Sequence, residues 1–384
     1  MTVIPPTLLL ILAAGYAAVI LWLVRGLTRL RPGTASDEPS VSVVVAARNE
    51  EAVITRCLDA LTSQNYPLEK TEIIVVDDRS TDATGGIIDA YTQRNARIRR
   101  VNVTDTASDI APKKRALTLG IAASTGGIIL TTDADCTPQP GWIRALVRHF
   151  EPDVGLVAGY SPLDSSTSPT LPGHLAELDG LALAGVAAGS FGAGLPLTCT
   201  GRNLAYRKHL FDEVGGFTSI ERFVSGDDDL FLHKVQSGTG WKMRYAIEPE
   251  ASVPTNPPRT LMDFVHQRTR HASKGFHYPV WLTVGLVAVY IFNLLLLAGL
   301  CIPAMRTATL AAWGLKIAAE ALLVFRAASV LHHRHPLRIF PLAAILHPVY
   351  VAVFGFVGQI GRFRWKESAY QARISRSDGK GAAL

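Results

Sequence analysis

The stretch Val41-Ser-Val-Val-Val-Ala-Ala-Arg48-Asn-Glu50 decides how this chain is read. A short, unbroken run of β-branched residues is the pattern of a strand buried on both faces of a parallel sheet. It gives way to polar residues that open a helix, with Ala52, Val53, Leu58 and Leu61 at helical spacing. A second run, Glu72-Ile-Ile-Val-Val, ends in Asp77-Asp78-Arg79-Ser80-Thr81-Asp82. Working outward, a helix is expected near Ala83–Arg94, a strand at Ile98–Val103 and a helix around Lys114–Ala123. A further strand, Gly127-Ile-Ile-Leu-Thr-Thr, runs into Asp133-Ala134-Asp135. Alternating strands and helices predict an α/β fold, a mostly parallel sheet flanked by helices. Such sheets bind ligands beyond the carboxyl ends of their strands, which is where each acidic cluster falls.

The rest of the chain looks different. Of its 384 residues 48% are hydrophobic and only 18% charged, more apolar than a soluble enzyme usually is. The excess lies at the two ends. Met1–Val24 is uncharged and long enough to cross a bilayer, with Arg25, Arg29 and Arg31 behind it. Its lack of a basic start argues for an anchor over a cleaved leader. Val280–Met305 is uncharged and should span; Ile339–Gly361 is long enough but contains Pro341, His347 and Pro348. Thr307–Val330 carries Lys316, Glu320 and Arg326, costly in lipid unless paired. A basic tail kept inside needs an even number of crossings after the α/β domain, so one of these last two is expected to re-enter or lie in the interface.

The expected organisation is an anchor over 1–30, the α/β domain over 36–265 and a basic interfacial segment over 258–278. A membrane region of two or three spans over 279–361 and a basic cytoplasmic tail over 362–384 complete it. The net charge of +6 resides largely in span-flanking clusters such as His332, His333, Arg334 and Arg338, so a membrane surface is expected and nucleic acid is not. Cys57, Cys136, Cys199 and Cys301 are scattered, which fits reduced thiols and neither a zinc site nor a disulfide framework.

The acidic clusters carry the chemistry. Asp133 and Asp135 offer hard oxygen ligands for Mg2+ or Mn2+ whose remaining ligands are diphosphate oxygens and water. Asp77 and Asp78 can hold a ribose hydroxyl or a base imide, while Ser80, Thr81 or Asp82 caps the next helix. Ser225-Gly-Asp227-Asp228-Asp229-Leu230 sets three carboxylates ahead of an apolar helix; one suits a general base, and acidic N-capping is the plainer alternative. Gln267-Arg-Thr-Arg270-His271 either steadies a departing diphosphate through Arg270 or simply flanks the membrane. Leu171–Leu197, rich in Gly, Ala and Leu, either lines an apolar acceptor site or forms a packed helix pair. No Gly-x-Gly-x-x-Gly follows the first strand and no Gly-Lys-Ser/Thr loop occurs, against dinucleotide oxidoreductases and P-loop enzymes.

Taken in order, Val-Val-Val-Ala-Ala-Arg48-Asn49-Glu50, Val-Val-Asp77-Asp78, Asp133-Ala-Asp135, Gly226-Asp-Asp-Asp-Leu230 and Gln267-x-x-Arg270 resemble glycosyltransferase family 2, of GT-A fold. Lys113 in Lys-Lys-Arg-Ala-Leu-Thr-Leu-Gly120 resembles the family's Gly-Lys-x-x-Ala-Leu-Asn-x-Gly element, and Gly201–Arg207 and Gly215–Phe217 its acceptor-side segment. The resemblance covers roughly Val41 to Lys274. It implies donor contacts from Ala47, Arg48, Glu50, Asp77, Asp78, Lys113 and Asp133, with metal at Asp133 and Asp135. It implies catalytic roles for Gln267, Arg270 and either Asp227 or Asp228, with Asp228 preferred. It also implies a nucleotide-sugar donor, UDP-linked by preference, and inversion at the anomeric carbon. His271 stands where processive synthases of the family carry a Trp, so a lipid glucosyltransferase-like enzyme with a lipid or isoprenoid (carotenoid) acceptor is expected, its domain on the cytoplasmic face of the inner membrane. A polysaccharide synthase and a non-catalytic scaffold are the rivals.

Overall fold

The computed structural model describes residues 6–104, 110–167, 169–360, 362–365 and 368–371. They fall into two compact units: one takes Leu30–Thr167 and Thr198–Asn256, the other the helices at both ends together with Ser168–Leu197. Of the expected tail 362–384, only two short paired strands lie within the described residues.

Helix α1 (Pro6–Leu27) precedes the first unit. That unit holds β1 (Val41–Ala47), α2 (Ile54–Thr62), β2 (Thr71–Asp77), α3 (Thr84–Arg94), β3 (Ile98–Asn102), α4 (Pro112–Ala123), β4 (Ile128–Asp133), α5 (Trp142–Val147) and β5 (Val154–Gly159). Its strands join one seven-stranded sheet in the order β3-β2-β1-β4-β6-β5-β7, where β6 is Leu204–Arg207 and β7 is Lys242–Ala246. The first four strands are mutually parallel, as the continuous apolar runs predict. β6 runs antiparallel between β4 and β5, which makes the sheet mixed. Val43, Val45, Ile73, Val75 and Leu130 are fully buried against Leu58, Leu61 and Trp142. At about 25 cal/mol per Å2 of apolar area this burial is the main force holding the layers together.

Registration decides where the chemistry goes. Ala47 lies opposite Asp77 and Ala46 opposite Asp133, so β1, β2 and β4 all end at one edge. The strand order also limits α6 (Leu171–Gly192). It is one continuous helix of 22 residues, not the helix pair considered from sequence, and it is apolar enough to cross a membrane. Yet β5 before it and β6 after it pair in a single sheet. A lone crossing would put two hydrogen-bonded strands on opposite sides of a bilayer. Helix α6 therefore does not by itself carry the chain across a bilayer.

In the other unit, α1 packs against α6 and α11 (Arg306–Val330); α9 (Leu261–Ala272), α10 (Val280–Cys301) and α12 (Phe340–Ile360) complete the set. With α6, the helices long and apolar enough to span number five among the described residues. Both α11 and α12 are continuous helices, with Pro348 inside α12. Two of the three charges that counted against α11 neutralise each other, Lys316 Nζ lying 2.8 Å from Glu320 Oε1 with His347 Nδ1 also 2.8 Å from Oε1, while Arg326 is exposed. Intramembrane charge is tolerated in such pairs.

Candidate active site

The loops after β1 and β2 are sewn together. Asn49, at a left-handed φ of 53°, donates its amide to Ser80 Oγ and accepts from the Thr81 amide through Oδ1. Glu50 N donates to Thr84 Oγ1, Glu51 N to Asp82 Oδ2, and Ala83 N to Glu51 Oε2. Of the three residues expected to cap α3, Asp82 does so in part: its Oδ1 accepts the Thr84 amide at 3.0 Å, although Ala83 occupies the cap position itself, while Ser80 and Thr81 clamp one loop to the other. This clamp fixes Arg48 and Glu50, both half-buried, at the mouth of the sheet beside Ala47.

Asp77 and Asp78 are both buried and answered by arginines that sequence reading did not single out. Asp77 Oδ2 lies 2.6 Å from Arg100, and its Oδ1 accepts the Ser80 amide. Asp78 Oδ1 meets Arg79 at 2.9 Å and Arg115 at 3.3 Å. Buried carboxylates need such partners, and Arg115 Nε, in addition, has no hydrogen-bond partner.

The centre of the site is Lys113, in the first turn of α4. Its ammonium sits 2.8 Å from Asp133 Oδ1 and 2.8 Å from Asp227 Oδ2. Burial pulls its pKa down, but the Asp133 and Asp227 carboxylates outweigh that and hold it charged, well above the ordinary lysine value. One cation thus joins the end of β4 to the loop before α8 (Asp229–Gly238). Gly226, at φ 89°, makes the turn that presents Asp227; an L side chain is strained there. Asp228 caps α8, accepting from the Asp229 amide at 2.8 Å through Oδ1 and from the Gly201 amide at 3.2 Å through Oδ2. Asp229 is buried and accepts from the Leu230 amide. The three consecutive carboxylates therefore divide their roles.

Asp135 follows in the turn after β4, with Cys136 Sγ 3.6 Å from its Oδ1. Burial first, and then Asp135 and Asp133, push the Cys57 and Cys136 thiols up, which favours the protonated form. Behind Asp227 stands Tyr206, fully buried, its hydroxyl without a hydrogen-bond partner; burial and the Asp227 charge raise its pKa. Tyr206 belongs to an aromatic cluster with Phe211, Phe217 and Phe231, so Phe217 of the presumed acceptor-side segment is core. Asn203 is core as well: it accepts from Trp142 Nε1 and donates to the Tyr160 and Ala251 carbonyls. The sheet edge thus gathers Asp77, Asp78, Lys113, Asp133 and Asp227 in one unit. Gln267 and Arg270 lie in the other unit, on α9, where the residue between them, Arg268, is buried and ion-paired to Asp179 of α6.

Residues 42–225, which contain these strand ends, match the model of glycosyl transferase family 2. The chain carries a family 2 glycosyltransferase domain. The chain is 30% identical over 245 residues to a probable glycosyltransferase, YdaM, of Bacillus subtilis, covering 63% of this chain and 56% of the relative. It is 31% identical to a beta-monoglucosyldiacylglycerol synthase of Synechocystis, covering 62% and 48%. The chain thus spans about half the length of the curated relatives it matches. Among solved structures, a mannosyltransferase from Pyrobaculum calidifontis, in complex with GDP-Man and Mn2+, aligns over 91% of this chain and 98% of its own with a TM-score of 0.57 and 22% identity. That likeness shows the GT-A fold.

Proposed function

We propose that this protein transfers a sugar from a nucleotide-sugar, UDP-linked by preference, to a hydroxyl of a membrane lipid or isoprenoid, with inversion, on the cytoplasmic side of the cell membrane. The observation that carries this reading is the Asp133–Lys113–Asp227 bridge. It puts a metal-type carboxylate, a fixed cation and a second carboxylate within one side chain's reach. The oxygen-only donors Asp133 and Asp135 fit a hard divalent ion. Bound there, Mg2+ or Mn2+ would supply charge neutralisation of the leaving diphosphate.

The protein's own groups do the rest. Lys113 answers the negative charge that develops on the diphosphate, assisted by Arg270 if α9 reaches the donor. Asp77 and Asp78, with Ala47, Arg48 and Glu50, line the nucleoside end. For the base, the geometry favours Asp227 over the Asp228 preferred from sequence. Both Asp228 oxygens already accept backbone amides, whereas Asp227 faces the cation shared with Asp133. In-line attack by the acceptor hydroxyl, deprotonated by Asp227, gives single displacement.

The lipid acceptor rests on the five apolar helices and on the diacylglycerol-lipid relatives. The test is incubation of membranes containing the protein with labelled UDP- and GDP-sugars, with and without a chelator, and identification of the product by mass. A single sugar on a lipid, dependent on divalent metal, supports the reading. A long glycan would replace it with a synthase, and no metal-dependent transfer or donor hydrolysis would end it.

A further inference from the structure

Away from the sheet edge, the helical unit gathers a second set of ligating side chains. Glu177, on α6, is buried, and a buried carboxylate demands compensation. Three histidines supply it. His333 Nε2 lies 2.8 Å from Glu177 Oε1, His335 Nδ1 lies 3.1 Å from Oε1 and 3.2 Å from Oε2, and His174 Nδ1 lies 3.9 Å from Oε2. His174 and Glu177 stand one helical turn apart, so both project from one face of α6. His333 and His335 come from the loop after α11, and that loop is specially shaped. His332 adopts a left-handed φ of 54°, and the His333 amide returns to the Ala328 carbonyl at 3.0 Å. A non-glycine residue in this conformation costs of order 1 kcal/mol or more, and the turn delivers two imidazoles to one carboxylate.

We propose that His174, Glu177 and His335 bind a divalent transition-metal ion of the zinc class, with His333 holding the Glu177 carboxylate in place. One ligand atom from each of the first three residues lies within 4.8 Å of the others, a spread that a small rotation of the half-buried His174 and exposed His335 imidazoles closes to zinc–nitrogen bonds of about 2.0–2.1 Å. Two nitrogens and one oxygen suit zinc, and unlike the carboxylate pair Asp133/Asp135 they do not suit magnesium. The hydrogen bond from His333 is the outer-shell contact that fixes a ligating carboxylate. The ion would clip the start of α6 to the α11–α12 loop.

Full-length protein in detergent, stripped with a chelator, is titrated with Co2+ and then Zn2+. The expected result is one equivalent of cobalt giving the visible bands of a low-coordinate nitrogen-ligated ion, displaced by zinc, with a metal-dependent rise in Tm. His174→Ala and His335→Ala, both at partly exposed positions, lose the bands and the Tm rise. His333→Gln weakens binding by roughly 10–100-fold, and Asp133→Asn/Asp135→Asn retains the signal. Stripped protein without the bands, or unchanged bands in the His174→Ala/His335→Ala double variant, would overturn the proposal and leave a histidine–carboxylate ion-pair cluster.

Discussion

The ammonium of Lys114 donates to the backbone carbonyl of Ser225 at 2.8 Å, and to that of Phe223 at 2.5 Å. A lysine buried in α4 therefore fixes the segment immediately ahead of Gly226 and Asp227, while its neighbour Lys113 reaches Asp227 itself. Two adjacent cations on one helix set both the backbone and the carboxylate of the proposed base.

Replacing Lys114 by Met should therefore act on stability and geometry together. Charge-assisted hydrogen bonds contribute about 1.5–3 kcal/mol each, and the stranded carbonyls add to the loss. Denaturant unfolding should show a destabilisation of about 2–4 kcal/mol, and Lys114→Arg should not restore it, because a guanidinium does not fit a site built for a point charge. Unchanged stability would mean that the loop is held by other contacts.

Lys113→Met strands the Asp133 and Asp227 carboxylates and should lower stability as well as depress turnover. Removing one preorganised charge at a developing anion typically lowers kcat by about 10²–10³. Steady-state kinetics with the natural metal should show the loss mainly in kcat. A change confined to KM would assign Lys113 to ground-state donor binding.

Asp227→Asn and Asp228→Asn should separate cleanly. The first should reduce transfer by about 10²–10⁴ while nucleotide binding survives. The second keeps one side-chain oxygen to cap α8 but turns an NH2 towards the Gly201 amide, so it should cost about 1–3 kcal/mol of stability, with a milder loss of rate. Reversal of that order would return the base to Asp228.

Acid stability should depend on Glu248. Burial raises its pKa, but the His149 hydrogen bond and charge and the Gly33 amide outweigh that and hold the carboxyl below the usual range. A depressed folded pKa stabilises the protein above the unfolded value, about 4.3, and that stability is lost as pH falls through the folded pKa. Glu248→Gln should be less stable at neutral pH and show a flatter loss below about pH 4, read by denaturant midpoints across pH. Parallel curves for the two proteins would refute the assignment.

The sheet also predicts the topology around α6. Cysteines placed at Pro169 and Leu195, in a background without Cys199 and Cys301, should react with an impermeant thiol reagent from the same side of sealed vesicles. Labelling from opposite sides would contradict the β5–β6 pairing.

Much of this molecule could be read from its sequence. The buried parallel strands announce themselves because β1, β2 and β4 are covered on both faces and so must be continuously apolar. The acidic clusters stand out because polar residues stop such runs only where the strand leaves the core. β6 was not legible: only four residues long, it is defined by its antiparallel place between β4 and β5 and not by any period.

Tertiary structure alone decided how the carboxylates share their partners. Sequence spacing cannot say that Lys113 spans Asp133 and Asp227, that Arg100 and Arg115 answer Asp77 and Asp78, or that Asp228 gives its oxygens to backbone amides. Those pairings join residues up to 114 positions apart (227 − 113), and they follow from strand registration, which a local pattern does not encode. The same holds for Glu177 and the histidines around it. Hydrophobic periodicity fixes which face of an element is covered; which polar groups then meet at its ends depends on how the covered faces are stacked.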